Sequence, residues 1–131
     1  MRPFRREDEG LLFGVAKLAF GEQDDDRTIA TLTRSTVFVA ELGDEPAGYV
    51  ALEETGDAFR IEQLCVHPAH EAEGIGGQLL EWAEGYAIAG GAERLEIVVE
   101  PGNDRALSFY RRRGFAPTAP DLYVLVLPQA N

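Results

Sequence analysis

The chain has 131 residues, of which 45% are hydrophobic and 27% charged, values that fit one globular domain and exclude an intrinsically disordered protein. Its 23 acidic and 12 basic side chains give a net charge of −11, which argues against nucleic acid and anionic membranes as partners. One cysteine, Cys65, excludes an internal disulfide, and no run reaches the roughly 20 apolar residues of a membrane span, so we expect a cytoplasmic protein.

The first part of the chain predicts a strand followed by two helices. Residues 2–5 are the candidate strand, and Asp8 is the candidate N-cap of an amphipathic helix. The apolar face of this helix holds Leu11, Leu12, Val15, Leu18 and Ala19. A second short helix is predicted where acidic residues meet the positive end of a helix dipole. Its acidic start and its apolar residues are Asp24, Asp25, Asp26, Ile29 and Leu32.

Three strands and the longest helix come next. Residues 36–42 and 47–52 are β-rich runs on either side of a turn, so they predict an antiparallel hairpin, and residues 59–66 predict a third strand that ends before Pro68. Over residues 74–89 the apolar residues then recur with the period of a helix. The predicted core-facing side of this helix holds Ile75, Leu79, Trp82, Ala83 and Tyr86.

The last third of the chain predicts an apolar strand at 95–99, a helix at 103–113 that stops at Gly114, and a final strand at 122–127. The whole order is β-α-α-β-β-β-α-β-α-β. It predicts a single α/β (α+β) domain over residues 1–131, with helices flanking a mixed central sheet.

A glycine-rich loop between the third strand and the long helix is the first candidate binding element. In residues 71–77 the glycines Gly74, Gly76 and Gly77 allow close approach, and the N–H groups of a helix start can bind a phosphate. The same glycines also fit a purely structural role in tight helix–strand packing. A dinucleotide fingerprint would need another glycine at Leu79, and a P-loop would need a Gly-Lys-Ser/Thr that the chain lacks.

The helix at 103–113 is the second candidate element. Asn103 is a good N-cap, and Ala106 and Tyr110 lie four residues apart on one face, where a small side chain leaves room beside a phenol. Tyr110 is equally well explained as an amphipathic core residue. Four arginines in nine positions form a basic patch for phosphate contact, although cations also favour a helix C-terminus. They are Arg105, Arg111, Arg112 and Arg113.

Together these elements resemble the GCN5-related N-acetyltransferase (GNAT) family. The residues that carry the resemblance lie in three groups between about 59 and 115: Leu64, Cys65, Val66, His67 and Pro68; Gly74, Ile75, Gly76, Leu79 and Leu80; and Asn103, Ala106, Tyr110, Gly114 and Phe115. The resemblance implies one GNAT domain that transfers an acetyl group from acetyl-CoA, as co-substrate, to an amine.

The resemblance also implies a role for each group of residues. Strand backbone at Leu64, Cys65 and Val66 would hold the pantetheine arm and the acetyl carbonyl. The pyrophosphate would lie on the loop, at Ala72, Glu73, Gly74, Ile75, Gly76 and Gly77. Asn103 would support the cofactor, Arg112 is the candidate phosphate contact of the basic patch, and Tyr110 would stand near the cofactor sulfur.

Two acids in the loop depart from the family pattern. Glutamine or arginine is usual where Glu71 stands, and a basic residue is often found at Glu73. A carboxylate about 6 Å from the pyrophosphate would repel it by about 3 kcal/mol at an effective dielectric constant near 20, and by much less in open solvent. Either the acids point outward or a neighbouring arginine neutralises them.

Acetyl transfer requires a base for the amine and an acid for the leaving thiolate. Tyr110 is the candidate acid. Glu62 shares a strand face with Leu64 and Val66 and is the candidate base, while a water-relayed base is an equal alternative and Glu100 a weaker one. Cys65 has no adjacent activating histidine, which argues against an acyl-enzyme.

The alternative function is a non-catalytic domain that binds acyl-CoA or a protein partner and carries a degenerate pyrophosphate loop. His67 and His70 are too few for a metal site, so no metal is expected. The acceptor is expected to be a small-molecule amine or a protein amine, and an acidic surface suits a cation. The resemblance also allows a homodimer, for which no interface can be read from the sequence.

Overall fold

The computed structural model describes residues 1–20, 30–32 and 34–128. Its strands are β1 (Arg2–Pro3), β2 (Thr36–Leu42), β3 (Glu45–Thr55), β4 (Ala58–Val66), β5 (Arg94–Val98), β6 (Ala116–Pro117) and β7 (Leu122–Val126). The helices are α1 (Glu9–Phe20), α2 (Ile75–Ala89) and α3 (Asp104–Arg112). Two 3-10 turns, Arg6–Asp8 and Pro68–Glu73, precede α1 and α2. None of the helices within the described ranges is both long and apolar enough to cross a bilayer.

The predicted mixed α/β fold is confirmed by one seven-stranded sheet of order β1-β2-β3-β4-β5-β7-β6. Strands β1, β2 and β3 pair antiparallel, as do β5, β7 and β6, whereas β4 and β5 pair parallel. The two-residue strand β6 was not predicted, because two residues of which one is proline carry no periodic signal. The second predicted helix, at Asp24–Asp26 and Ile29, lies outside the described residues; beside it, residues 30–32 and 34 are helical.

The first of two compact units comprises Met1–Glu53 and Glu62–Ala83. Its core joins one face of α1 to β2, β3 and β4 because alternate strand residues point to the same side of the sheet. The core residues are Leu12, Val15, Ala16, Leu32, Val37, Val39, Tyr49, Ala51 and Cys65.

The second unit comprises Glu54–Ile61 and Glu84–Asn131. The beginning of β4 pairs with β5 here, from Ala58 beside Arg94 to Ile61 beside Ile97. Inside the unit Glu96 is 8% exposed and forms ion pairs with Arg60 at 3.4 Å and with Arg94 at 3.7 Å. Two cations therefore compensate a buried strand carboxylate.

Asp8 does not cap α1, contrary to the sequence prediction. It closes the preceding 3-10 turn, where its carboxylate accepts a 2.7 Å hydrogen bond from the N–H of Arg5 and pairs bidentately with Arg2. These contacts lower the pKa of Asp8, with the hydrogen bond from Arg2 as the largest cause. Because Arg2 also pairs with Glu41 of β2, the carboxylate ties the start of the chain to the sheet.

Three predicted core residues are also more exposed than their helical period indicates. Leu11 of α1 is 59% exposed, and Trp82 and Tyr86 of α2 are 43% and 38% exposed. Each aromatic ring rests edge-on against a strand phenylalanine, Trp82 on Phe38 and Tyr86 on Phe59, at centroid distances of 5.6 and 5.5 Å. The helix therefore turns its aliphatic residues, among them Leu79, Leu80 and Ala83, inward and leaves the two aromatic rings at the boundary.

Candidate functional site

The end of β4 presents the predicted catalytic strand face. Gln63 and Cys65 are buried, whereas the intervening Glu62, Leu64 and Val66 are half-buried. The predicted sharing of one face by Glu62, Leu64 and Val66 is thus confirmed, and that face is accessible to a ligand.

A buried hydrogen bond fixes this strand end from the opposite face. The Tyr49 hydroxyl donates to Oε1 of Gln63 at 2.7 Å, and Tyr49 is fully buried. Burial raises the pKa of Tyr49, with a smaller contribution from Cys65, so the phenol stays a donor. Sequence reasoning missed this pair; a glutamine among apolar strand residues was the signal that could have revealed it.

A glycine on β3 lets the two strands approach closely just before the loop. A Cβ placed on Gly48 would lie 2.6 Å from the carbonyl oxygen of Cys65, closer than real Cβ contacts allow. One residue away, the N–H of His67 donates to the carbonyl of Ala47 at 2.7 Å. The backbone at Cys65 to His67 is therefore held by β3 up to the point where the loop begins.

The loop delivers a helix start with a glycine in the left-handed region. Nδ1 of His67 accepts from the N–H of Ala69 at 3.0 Å and opens the 3-10 turn, and Gly74 then adopts a φ of 78°. The first bond of the α2 ladder runs from Gln78 N to Gly74 O at 3.2 Å. The N–H groups of Ile75, Gly76 and Gly77 therefore belong to the first turn, whose donors have no acceptor inside a helix. Such a turn can bind an anion.

The two acids of the loop precede this helix, whose own first turn contains none. Glu71 and Glu73 are exposed, and Oε2 of Glu73 lies 3.0 Å from Nδ1 of His70. The exposure of both acids favours the alternative in which they point outward, and the side chain that contacts Glu73 is a histidine. Burial, with a smaller contribution from the Glu71 charge, raises the pKa of Cys65 to about 12. This thiol remains protonated at neutral pH and is a poor nucleophile.

In the second unit, α3 begins as predicted. Oδ1 of Asn103 accepts from the N–H of Ala106 at 3.3 Å, so Asn103 is the N-cap. Tyr110 is 6% exposed and its ring packs edge-on against Phe109 and Phe115, at 5.0 and 5.3 Å. Burial raises the pKa of Tyr110, and the nearby Arg113 only partly opposes this, so the phenol is protonated at neutral pH.

The four arginines of the basic patch, at positions 105, 111, 112 and 113, are exposed. Arg112 donates to the carbonyl of Ser108 at 3.3 Å, Arg111 donates to the hydroxyl of Tyr123 at 3.4 Å, and Arg113 lies 4.0 Å from the centroid of Phe109. These contacts hold the side chains at the surface, where their charges remain available to an anion.

The predicted site residues therefore fall into two groups. The first unit holds Glu62, Leu64, Cys65, Val66 and residues 72–77, and the second holds Asn103, Tyr110 and Arg112. The rings of His67 and His70 lie 5.6 Å apart, and within the described ranges no three His, Cys, Asp or Glu side chains gather as a metal site.

The sequence model of the Acetyltransferase (GNAT) family matches residues 6–115 of this chain. An uncharacterized N-acetyltransferase of Methanocaldococcus jannaschii is 33% identical over 85 residues, which are 60% of this chain but only 38% of that protein.

Two solved structures share the fold. A GNAT-family protein of Desulfovibrio desulfuricans superposes with a TM-score of 0.89 at 19% identity, covering 97% of this chain and 98% of that one. A GNAT-family acetyltransferase of Elizabethkingia anophelis, crystallised with acetyl-CoA bound, superposes with a TM-score of 0.84 at 19% identity and covers 96% of each chain. With its family match over most of its length, this chain belongs to the GNAT acetyltransferase family.

Proposed function

We propose that residues 1–131 act as one acetyltransferase domain, which transfers the acetyl group of acetyl-CoA to a primary amine by direct attack on the thioester. The observation that supports this most is the helix start at Ile75, Gly76 and Gly77, which follows the left-handed Gly74 and whose first-turn N–H groups have no acceptor inside a helix. A pyrophosphate is the natural ligand of such a turn.

Open space beside Gly74 supports the placement of a CoA pyrophosphate on this loop. A Cβ on Gly74 would meet no atom within 4 Å, so the space above the turn is open. The basic surface of α3, with Arg112, is the candidate contact for a further phosphate, and Asn103 is the candidate support of the pantetheine arm. In this proposal the strand backbone at Leu64, Cys65 and Val66 holds the acetyl carbonyl.

The chemistry needs no covalent enzyme intermediate. The amine lone pair attacks the thioester carbonyl carbon, and a backbone N–H of Leu64–Val66 stabilises the oxyanion that forms. Collapse breaks the carbon–sulfur bond, and Tyr110 donates its proton to the leaving thiolate. Glu62, directly or through a water molecule, takes the proton that the amine loses. Tyr110 is protonated, which agrees with its role as the acid. Cys65 is also protonated, which agrees with the absence of a cysteine nucleophile.

The second candidate function is a non-catalytic domain that binds acyl-CoA or a protein partner. The exposed carboxylates of Glu71 and Glu73 beside the helix start favour it, because each disfavours a polyanion. The acceptor of the first candidate is a small-molecule or protein amine in the cytoplasm, and the acidic surface suits its positive charge.

Calorimetric titration with acetyl-CoA tests the proposal. Wild type should bind saturably, and Gly76→Trp should weaken binding at least about tenfold because the indole occupies the space of the pyrophosphate. Gly85→Trp is the matched control, since Gly85 is exposed on the same helix with open space around it, and it should bind as wild type does.

If wild type does not bind acetyl-CoA at millimolar concentration, the proposed acetyltransferase function is refuted. If wild type binds acetyl-CoA but releases no CoA thiol with every amine of a test panel, the non-catalytic candidate is favoured.

A further inference from the structure

The pyrophosphate loop contains a contact that the family resemblance does not explain. Nδ1 of His70 lies 3.0 Å from Oε2 of Glu73, and the side chains are 30% and 50% exposed. Glu73 ends the 3-10 turn and directly precedes Gly74, the residue from which α2 begins. The loop therefore carries a carboxylate where a polyanion is expected, together with a titratable partner for it.

The backbone brings these two side chains together. They are three residues apart in the 3-10 turn Pro68–Glu73, and a 3-10 helix has three residues per turn, so side chains at i and i+3 lie one above the other. The pair is thus a property of the turn and requires no contact with another element.

The neighbouring histidine has a different role. His67 accepts the N–H of Ala69 through Nδ1 and serves as the N-cap of the turn. Among the described residues, the turn itself also carries Glu71, and α1, which packs against the turn, carries Glu9 and Lys17. Cys65, at the end of β4, is affected by the charge of Glu71 and remains protonated.

We infer that His70 is a proton-dependent counter-ion of Glu73, which makes the loop bind the pyrophosphate of a CoA ester more tightly when His70 is protonated. This inference rests on the proposed function. Histidine ordinarily changes its charge between pH 5 and 8. The pair carries no net charge when His70 is protonated and one negative charge when it is neutral, so affinity falls as the pH rises.

The expected change is modest because both side chains are partly exposed. A screened charge interaction of this kind corresponds to about a two- to fivefold change in affinity. Dephospho-CoA is the suitable probe, since it keeps the pyrophosphate and lacks the 3′-phosphate, which would itself titrate near pH 6.

Calorimetry with dephospho-CoA at pH 5.5 and 8.5 tests the inference. Wild type should bind about two- to fivefold more tightly at pH 5.5. His70→Gln should bind at both pH values as weakly as wild type does at pH 8.5. The double variant His70→Gln/Glu73→Gln should bind at both pH values as tightly as wild type does at pH 5.5, because the pair then carries no charge.

Titration in two buffers of different ionisation enthalpy supplies a second readout. Binding at pH 7 should take up a fraction of a proton in wild type and none in His70→Gln. His67→Asn, which keeps an N-cap acceptor, should retain the proton uptake of wild type. Circular dichroism confirms that each variant is folded.

The outcomes separate the inference from the proposed function. No binding by wild type at either pH would overturn the proposed function. If His70→Gln binds with the same pH dependence and proton uptake as wild type, the role of His70 is overturned and the proposed function stands. Loss of the proton uptake in His67→Asn would likewise overturn it, because the proton would then be taken up by His67.

Discussion

Tyr110 is the residue at which burial and proposed chemistry meet. Its ring is enclosed by Phe109 and Phe115, and this environment disfavours the phenolate and keeps the proton on the oxygen. The protonated phenol is therefore present throughout the neutral pH range, where it can donate a proton to the leaving thiolate. The matching residue for comparison is Tyr123 of β7, which is 5% exposed and carries its hydroxyl beside Arg111.

Tyr110→Phe should lower kcat by about 100-fold or more, the usual effect of removing a general acid. Burial raises the pKa of Tyr110, so the phenol keeps its proton at every pH between about 6 and 9. The loss of kcat should therefore be the same throughout this range. Tyr123→Phe should leave kcat unchanged. Initial rates of CoA release measure both, and equal rates for Tyr110→Phe and wild type would remove Tyr110 from the mechanism.

At the scale of elements, the approach of β3 to β4 positions the strand end that precedes the loop. Gly48 permits the approach because it has no Cβ, and the hydrogen bond from Tyr49 to Gln63 joins the same strands one residue further on. A side chain at position 48 would push the carbonyl of Cys65 and also meet Leu79 of α2 at 3.2 Å. The glycine is therefore required by packing and not by its backbone angles.

Gly48→Ala should reduce the free energy of unfolding by about 1–3 kcal/mol, the typical result of overpacking. Gly85→Ala, in the middle of α2 with nothing within 4 Å, should raise it by about 0.5–1 kcal/mol because alanine favours a helix. Urea unfolding followed by the fluorescence of Trp82, the one tryptophan, measures both. A neutral Gly48→Ala would show that β3 and β4 can separate without loss.

At the scale of the whole molecule, three buried acids restrict stability at high pH. The pKa values of Tyr49, Cys65 and Tyr110 are all raised, and burial is the largest cause for each. A raised pKa in the folded state means that the unfolded chain loses its proton first. The contribution is therefore complete below the unfolded pKa and is lost as the pH rises towards the folded one.

Between pH 8 and 10.5 the free energy of unfolding should fall, and Cys65 should account for about 2 kcal/mol of the fall. This follows from a pKa that rises from 9.0 in the unfolded chain to about 12 in the fold. Cys65→Ala should lose less stability than wild type over the same interval. Urea unfolding at both pH values in a reducing buffer measures the difference, and equal losses would contradict a protonated buried thiol.

The sequence by itself determined the order of the described elements apart from β6, the glycine turn before α2 and the N-cap Asn103. Each of these is a local property: the hydrophobic period selects helix or strand, a glycine permits a positive φ at position 74, and a side-chain oxygen caps the helix that follows it. The half-buried face of Glu62, Leu64 and Val66 was predictable for the same reason, since a strand alternates its side chains.

Only the tertiary structure decided which side chains meet across elements or turns. The bond between Tyr49 and Gln63, the approach of Gly48 to Cys65 and the edge contact of Trp82 with Phe38 join residues 14 or more positions apart. Asp8 likewise turned back to Arg2 because the 3-10 turn before α1 reoriented its carboxylate. Periodicity specifies a face but not its partner, because the partner depends on how the elements pack.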